Sequence, residues 1–234
     1  MFKITFCGGA QEVTGANYLI DTGKVRILVD CGLMQCPRFC AARNRDSFPY
    51  DPSTIDALFI THAHIDHVGR VPKLVRDGFR GVIYSTPPTK DFARIMLEDS
   101  LGVLEKEAAH MGEKEIIYSL ADIEAANKLW QGVPYKQEIT VGDISVKMHN
   151  AGHILGSTMM EMDIQGKKLL FTGDLGNSPM PLLAPPDMVS GVQIMVIESA
   201  YGNRVHEDLG DRKTKLERAI EDTIKRGGTL MIPA

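Results

Sequence analysis

Thr61-His62-Ala63-His64-Ile65-Asp66-His67-Val68-Gly69-Arg70 is the stretch whose reading decides the fold. Within it His62, His64, Asp66 and His67 stand as H-x-H-x-D-H, directly after the apolar run Ala57-Leu58-Phe59-Ile60. Imidazole nitrogens and carboxylate oxygens are the usual donors to a catalytic zinc ion. A turn just past a buried strand can aim several of them at one point. Core packing gives no reason for three histidines and an aspartate so close together, and the flanking residues suit a metal-binding turn.

One cluster makes a site only if distant donors complete it. His153 lies in NAGHILGST, residues 150–158, and Asp174 lies in LLFTGDLGN, residues 169–177. Each follows a strand-like run and is flanked by glycine, which lets backbone approach a crowded centre. Alone, such a histidine is usually a hydrogen-bonded structural residue, and such an aspartate a turn former. Beside the first cluster they become the remaining donors. Asp30, in LVDCG, reads either as a turn residue or as the acceptor that fixes a ligating histidine's other ring nitrogen.

Around these motifs the chain alternates strands and helices. Apolar or alternating runs at 2–7, 17–20 and 25–30, parted by Gly8-Gly9 and Asp21-Thr22-Gly23, predict a β-meander. Residues 57–61 predict the short strand that delivers the histidines. Helical spacing follows over 68–76, with Gly78 as its stop, then a strand over 82–85. A second helical pattern covers 89–110, with Gly102 marking a break. Ser119 and Asp122 cap a helix ending near Trp130 and Gly132. Strands are expected at 138–140, 144–150, 158–164, 168–172 and 192–198, then an amphipathic helix over 207–226 and a last strand over 229–233. Residues 179–186 hold four prolines and read as a loop. The pattern predicts an α/β (α+β) fold with two sheets sandwiched by helices. A strand at the very end predicts the front portion of a longer protein.

Composition narrows the class. At 44% apolar and 24% charged, the 234 residues can build a sizeable core. The net charge of −4 does not advertise a nucleic-acid surface, although a metal site gathers carboxylates whose charge the metal offsets. Cys31, Cys36 and Cys40 are spaced C-x4-C-x3-C, unlike the paired C-x2-C of structural zinc, and with Cys7 they read as reduced thiols. Met1 leads into a strand-like run instead of a signal peptide, and no apolar stretch reaches the ~20 residues of a membrane helix. A cytoplasmic protein without membrane contact is expected.

The ordered set of Asp30, H-x-H-x-D-H, His153 and Asp174 resembles the metallo-β-lactamase superfamily. That resemblance implies an αββα sandwich over residues 1–200 with a dinuclear metal site at the sheet edges. GGAQEVTGANYLID at 8–21, AGHILGS at 151–157 and ESAYGNR at 198–204 are similar to its β-CASP branch of nucleases. Residues 201–234 would then begin a β-CASP domain. Glu198, where some members carry aspartate, resembles the RNA-processing members more than the DNA-repair ones. Within that branch the chain resembles the bacterial and archaeal relatives of the mRNA 3′-end cleavage and polyadenylation endonuclease subunit.

Carried over residue by residue, the resemblance implies one zinc held by His62, His64 and His153 and a second by Asp66 and His67, with Asp174 bridging them. The branch draws a last histidine ligand and a second catalytic histidine from a later return of the chain, and neither matches a motif here, so the second site lacks one ligand. Asp66 would also orient the attacking hydroxide, Asp30 would fix a ligand imidazole, and Glu198 would orient the catalytic histidine. The implied activity is hydrolysis of single-stranded RNA by zinc-activated hydroxide, weak or absent in this portion alone. A homodimer through regions outside the chain is compatible with it. Competing readings are a DNA-directed nuclease of the same branch, a thioesterase or lactonase using the same metal motif on a carbonyl, and a non-catalytic scaffold subunit.

Overall fold

Alternation of apolar side chains across short strands builds two sheets, and a computed structural model describes residues 1–36, 40–112, 116–177, 180, 182–205 and 209–232. The first sheet begins as the antiparallel meander β1 (Lys3–Gly8), β2 (Asn17–Asp21) and β3 (Arg26–Val29). It continues in parallel through β4 (Ala57–Phe59), β5 (Val82–Ser85) and β6 (Trp130–Gly132), in spatial order β1-β2-β3-β4-β5-β6. The second sheet is β7 (Glu138–Val141), β8 (Ile144–Asn150), β9 (Thr158–Ile164) and β10 (Lys167–Phe171), all antiparallel, with β11 (Ile194–Val196) parallel to β10 at the edge.

Period two decides which residues face which layer. Ile27 and Val29 of β3 and Ala57 and Phe59 of β4 join Val146, Met148, Met160, Met162 and Phe171 in the core between the sheets. Leu28 and Leu58 point the other way, into a second core with Val71, Leu74, Leu97 and Ile123 from the helices. Those helices are α1 (Cys40–Arg45), α2 (Ile65–Val68), α3 (Val71–Arg76), α4 (Pro87–Met111) and α5 (Leu120–Leu129). The far face of the second sheet is covered by loop residues, with Leu175, Val189 and Val192 packed on Ala151, Met159 and Leu170. No described helix is long and apolar enough to cross a membrane.

Several local expectations change. The helix expected over 68–76 is two, because the metal motif supplies the first short turn and Pro72 suits the start of a second helix. Gly102 does not break α4. A Cβ there would meet nothing, so the glycine faces open space and costs only about 1 kcal/mol of propensity. Ser119 and Asp122 do form a capping box for α5. Beyond it, Trp130–Gly132 is a strand that pairs with β5, drawn in by the buried indole, whose N–H donates to Ser85 Oγ at 2.8 Å.

Cys36 and Cys40 form a disulfide, correcting the expectation of reduced thiols for that pair. Cys40 opens α1, which brings the two Cα atoms to 5.6 Å, within disulfide range. Cys7 and Cys31 are free. Burial pushes the Cys31 thiol up to about 12, so it behaves as a core residue.

The chain divides into two compact units, Met1–Glu198 and Ser199–Ala234. The second contains α6 (Leu209–Lys225), on which Leu216, Ile220 and Ile224 form an exposed apolar row. Residues 229–232 are not a strand, since a strand needs a neighbour and this unit has none among the described residues. His206, residues 207 and 208 of the expected helix, Pro233 of the expected strand, and residues 179 and 181 of the proline loop lie outside the described residues.

Candidate metal centre

β4 ends at Phe59, and the backbone turns at once into the histidine string. Its geometry is set by straps from neighbouring loops. Ala16 N–H donates to the Asp66 carbonyl at 2.9 Å, Cys31 N–H to His67 at 2.8 Å, and Leu33 N–H to Ile65 at 2.9 Å. The strap crosses so closely that a Cβ on Gly32 would lie 1.5 Å from the Asp66 carbonyl oxygen, so only glycine fits there. Arg70 is buried, and its Nε donates to the Gly32 carbonyl at 2.8 Å, tying the far end of the motif to the same strap.

Two further loops bring the distant donors. His153 follows β8, and its N–H donates to Ser157 Oγ at 3.0 Å, which closes a tight turn. Thr86 and Thr89, at the start of α4, donate their hydroxyls to the Gly156 carbonyl at 2.7 and 2.9 Å, fixing that turn against the helix. Asp174 follows β10. Gly176 N–H donates to the Ala151 carbonyl at 2.9 Å, and a Cβ on Gly176 would meet the Gly152 carbonyl at 1.7 Å. The two loops therefore touch backbone to backbone.

The result is convergence of six side chains from three segments. His62 Nε2 and His153 Nε2 lie 3.0 and 3.1 Å from His64 Nδ1. Asp174 Oδ2 lies 3.7 Å from His62 Nε2 and 3.6 Å from His153 Nε2. These four donors, one atom each, all fall within 4.8 Å of one another. Asp174 Oδ1 faces the other way, 3.4 Å from His67 Nε2, which is itself 3.8 Å from Asp66 Oδ2. One carboxylate thus addresses two groups of donors.

The donor chemistry fits a cation. His64 Nδ1 carries either one proton or one lone pair, yet two other ring nitrogens crowd it. A single cation taking all three lone pairs removes the conflict. Burial, with the charges of His67, His64 and His153 around it, holds the His62 imidazole well below its usual range, so its lone pair is free. Burial likewise lowers His153. At His67 burial opposes the charge, but the carboxylates of Asp30 and Asp174 outweigh it and push the ring up to about 10. A cation between His67 and Asp66 would replace that proton. Burial resists ionisation of Asp174, yet the His67 hydrogen bond and the surrounding imidazoles hold it below the usual carboxylate range.

Asp30 is fully buried behind the motif, with a left-handed backbone (φ 56°). Its Oδ2 accepts from His67 Nδ1 at 2.8 Å. Its carbonyl accepts from Asn17 Nδ2 at 2.7 Å, and Asn17 in turn accepts from the Tyr50 hydroxyl at 2.9 Å. Glu198 sits past β11, where its Oε1 accepts the Leu175 N–H at 2.6 Å, one residue beyond Asp174. Sequence reasoning assigned no role to Thr61, Asn17 or Tyr50. Thr61 alone carried a signal, as a hydroxyl residue directly before the first histidine.

A family model described as the metallo-beta-lactamase superfamily matches residues 11–226. The chain belongs to the metallo-beta-lactamase superfamily. It is similar to a ribonuclease of Thermus thermophilus, 35% identical over 99% of this chain and 51% of that protein. It is also similar to the transcription termination factor FttA of Methanocaldococcus jannaschii, 32% identical over 99% of this chain and 37% of the relative. The cleavage and polyadenylation specificity factor 73 of Drosophila melanogaster is 28% identical over 100% of this chain and 34% of its own length. The chain thus spans about half the length of the bacterial relative and little more than a third of the archaeal and fly ones.

Proposed function

We propose that this chain carries the metal-binding part of a zinc-dependent ribonuclease of the β-CASP branch, acting in RNA processing or decay on single-stranded RNA. The observation that carries the reading is the double aim of Asp174, with Oδ2 toward His62 and His153 and Oδ1 toward His67. In this reading His62, His64, His153 and Asp174 hold one zinc, while Asp66, His67 and Asp174 hold the other. The chemistry that zinc supplies in such a site is acidification of water and neutralisation of charge on phosphoryl oxygens.

The chain's own residues prepare that chemistry. Burial holds His62 and His153 below the usual imidazole range, so their lone pairs are available. Asp30 holds His67 by its outer nitrogen, which fixes the ring's tautomer and direction. Glu198 anchors the loop that carries Asp174. The names of the relatives support RNA as the substrate class over DNA or a thioester. Residues 1–200 form the lactamase-type domain in this reading, and 201–234 begin the β-CASP domain; the division after Glu198 supports that boundary. A cytoplasmic location and a homodimer formed outside this chain belong to the same proposal.

The test is metal content and substrate choice. Purified chain is expected to hold zinc, and a version extended to the relatives' full length to cleave single-stranded RNA faster than single-stranded DNA or a thioester. Zinc-free protein, or a thioester preference, refutes the reading.

A further inference from the structure

His62 poses a problem that Asp30 solves only indirectly. A ligand imidazole needs its second ring nitrogen held by an acceptor, or its tautomer and direction drift. For His67 that acceptor is Asp30 Oδ2, at 2.8 Å. His62 is fully buried, and at its Nδ1 stands the hydroxyl of Thr61, at 3.0 Å. The same hydroxyl lies 2.8 Å from Asp30 Oδ2, while the Thr61 N–H donates to Asp30 Oδ1 at 2.8 Å.

A hydroxyl has one proton and two lone pairs. Asp30, an acceptor when ionised, takes the proton, which leaves the Thr61 oxygen to accept from His62 Nδ1–H. The His62 Nε2 lone pair is then forced toward His64, His153 and Asp174. The alternative use of the hydroxyl, toward His67 Nδ1, is longer at 3.4 Å and competes with a direct carboxylate contact. Resting on the metal-site reading above, we infer that Thr61 is a positioning residue that extends the hold of Asp30 from His67 to His62.

The rest of Thr61 is immobilised to suit. Its carbonyl accepts from Thr158 N–H at 2.8 Å and from the Thr158 hydroxyl at 3.0 Å, pinning its backbone to β9. A Cβ built on Gly173 would lie 2.8 Å from Thr61 Cβ, so the threonine side chain packs directly under the residue that precedes Asp174. Branching at Cβ restricts χ1 further. The hydroxyl has little freedom to swing away from Asp30 and His62.

The experiment compares the 234-residue chain with its Thr61→Val and Thr61→Ser variants. Zinc affinity is read by competition with a chromophoric chelator, and the His62 tautomer by 15N NMR of the metal-free protein. The relay predicts an Nδ1–H tautomer at His62 in the unaltered protein. It predicts a loss of about 10- to 100-fold in zinc affinity for Thr61→Val. Thr61→Ser, which keeps the hydroxyl, should restore both readouts. Unaltered protein that binds zinc while Thr61→Val binds it equally well overturns the relay and leaves the metal reading standing. Unaltered protein that binds no zinc overturns the metal reading and the relay together. Should Thr61→Val fail to fold, the tautomer of the unaltered protein still decides, and an Nε2–H ring at His62 overturns the relay.

Discussion

The two halves of the candidate centre are built differently. The half made by His62, His64 and His153 gathers three ring nitrogens, two of them within 3.1 Å of the third, and adds Asp174 Oδ2. The half made by Asp66 and His67 has one ring nitrogen, one carboxylate at 3.8 Å and Asp174 Oδ1. Four donors suffice for a tetrahedral zinc, whereas three leave a position open. The electrostatics diverge in the same way. The first half is rich in neutral nitrogen, and the second holds a histidine that its carboxylates keep protonated until a cation arrives. A preformed donor set in which His62 and His153 are held below the usual imidazole range should bind first and hold harder than one that must release a proton.

Removing the shared residue is the most severe way to break this comparison. Asp174→Ala takes a donor from both halves, and zinc affinity should fall by more than the ~100-fold typical of losing only a residue behind a ligand. Chelator competition measures it, and retention of one tightly held zinc would show that the carboxylate is not shared. Next come the single-half substitutions. His64→Ala should abolish the tighter zinc, whereas His67→Ala should leave it in place and lower only further uptake. Metal stoichiometry by mass spectrometry reads the difference, and equal losses would erase the asymmetry. The smallest effect is expected outside both halves. Cys36→Ser removes the disulfide beyond the strap, and zinc affinity should stay within about twofold, as for changes that share no partner with the site. A larger drop in chelator competition would tie the disulfide to the centre.

How much of this was legible beforehand depends on the distance between the residues concerned. His62, His64, Asp66 and His67 were readable because their spacing is local and a single turn after β4 suffices to aim them. Strands β7–β10 were readable from alternation, and the α5 capping box from a four-residue signal. By contrast, Trp130–Gly132 looked like the tail of a helix, since nothing local reveals that Ser85 waits across the sheet to take the indole proton. Residues 229–232 looked like a strand, since alternation cannot announce whether a partner strand exists. The Cys36–Cys40 pair reads as reduced because spacing alone does not report that the two Cα atoms come within 5.6 Å.

The chain's order of residues by itself determined the donor types, the strand that presents them and the family they belong to. Only the tertiary structure decided that Asp174 turns one oxygen to each group, that Asp30 lies under both His67 and Thr61, and that glycine at 176 lets the Asp174 loop meet the His153 loop. The physical reason is range. Donor identity and local turns are properties of a few consecutive residues. Which lone pair faces which neighbour is set by packing between distant segments, such as the 3.0 Å bond from Thr158 Oγ1 to the Thr61 carbonyl that spans 97 residues.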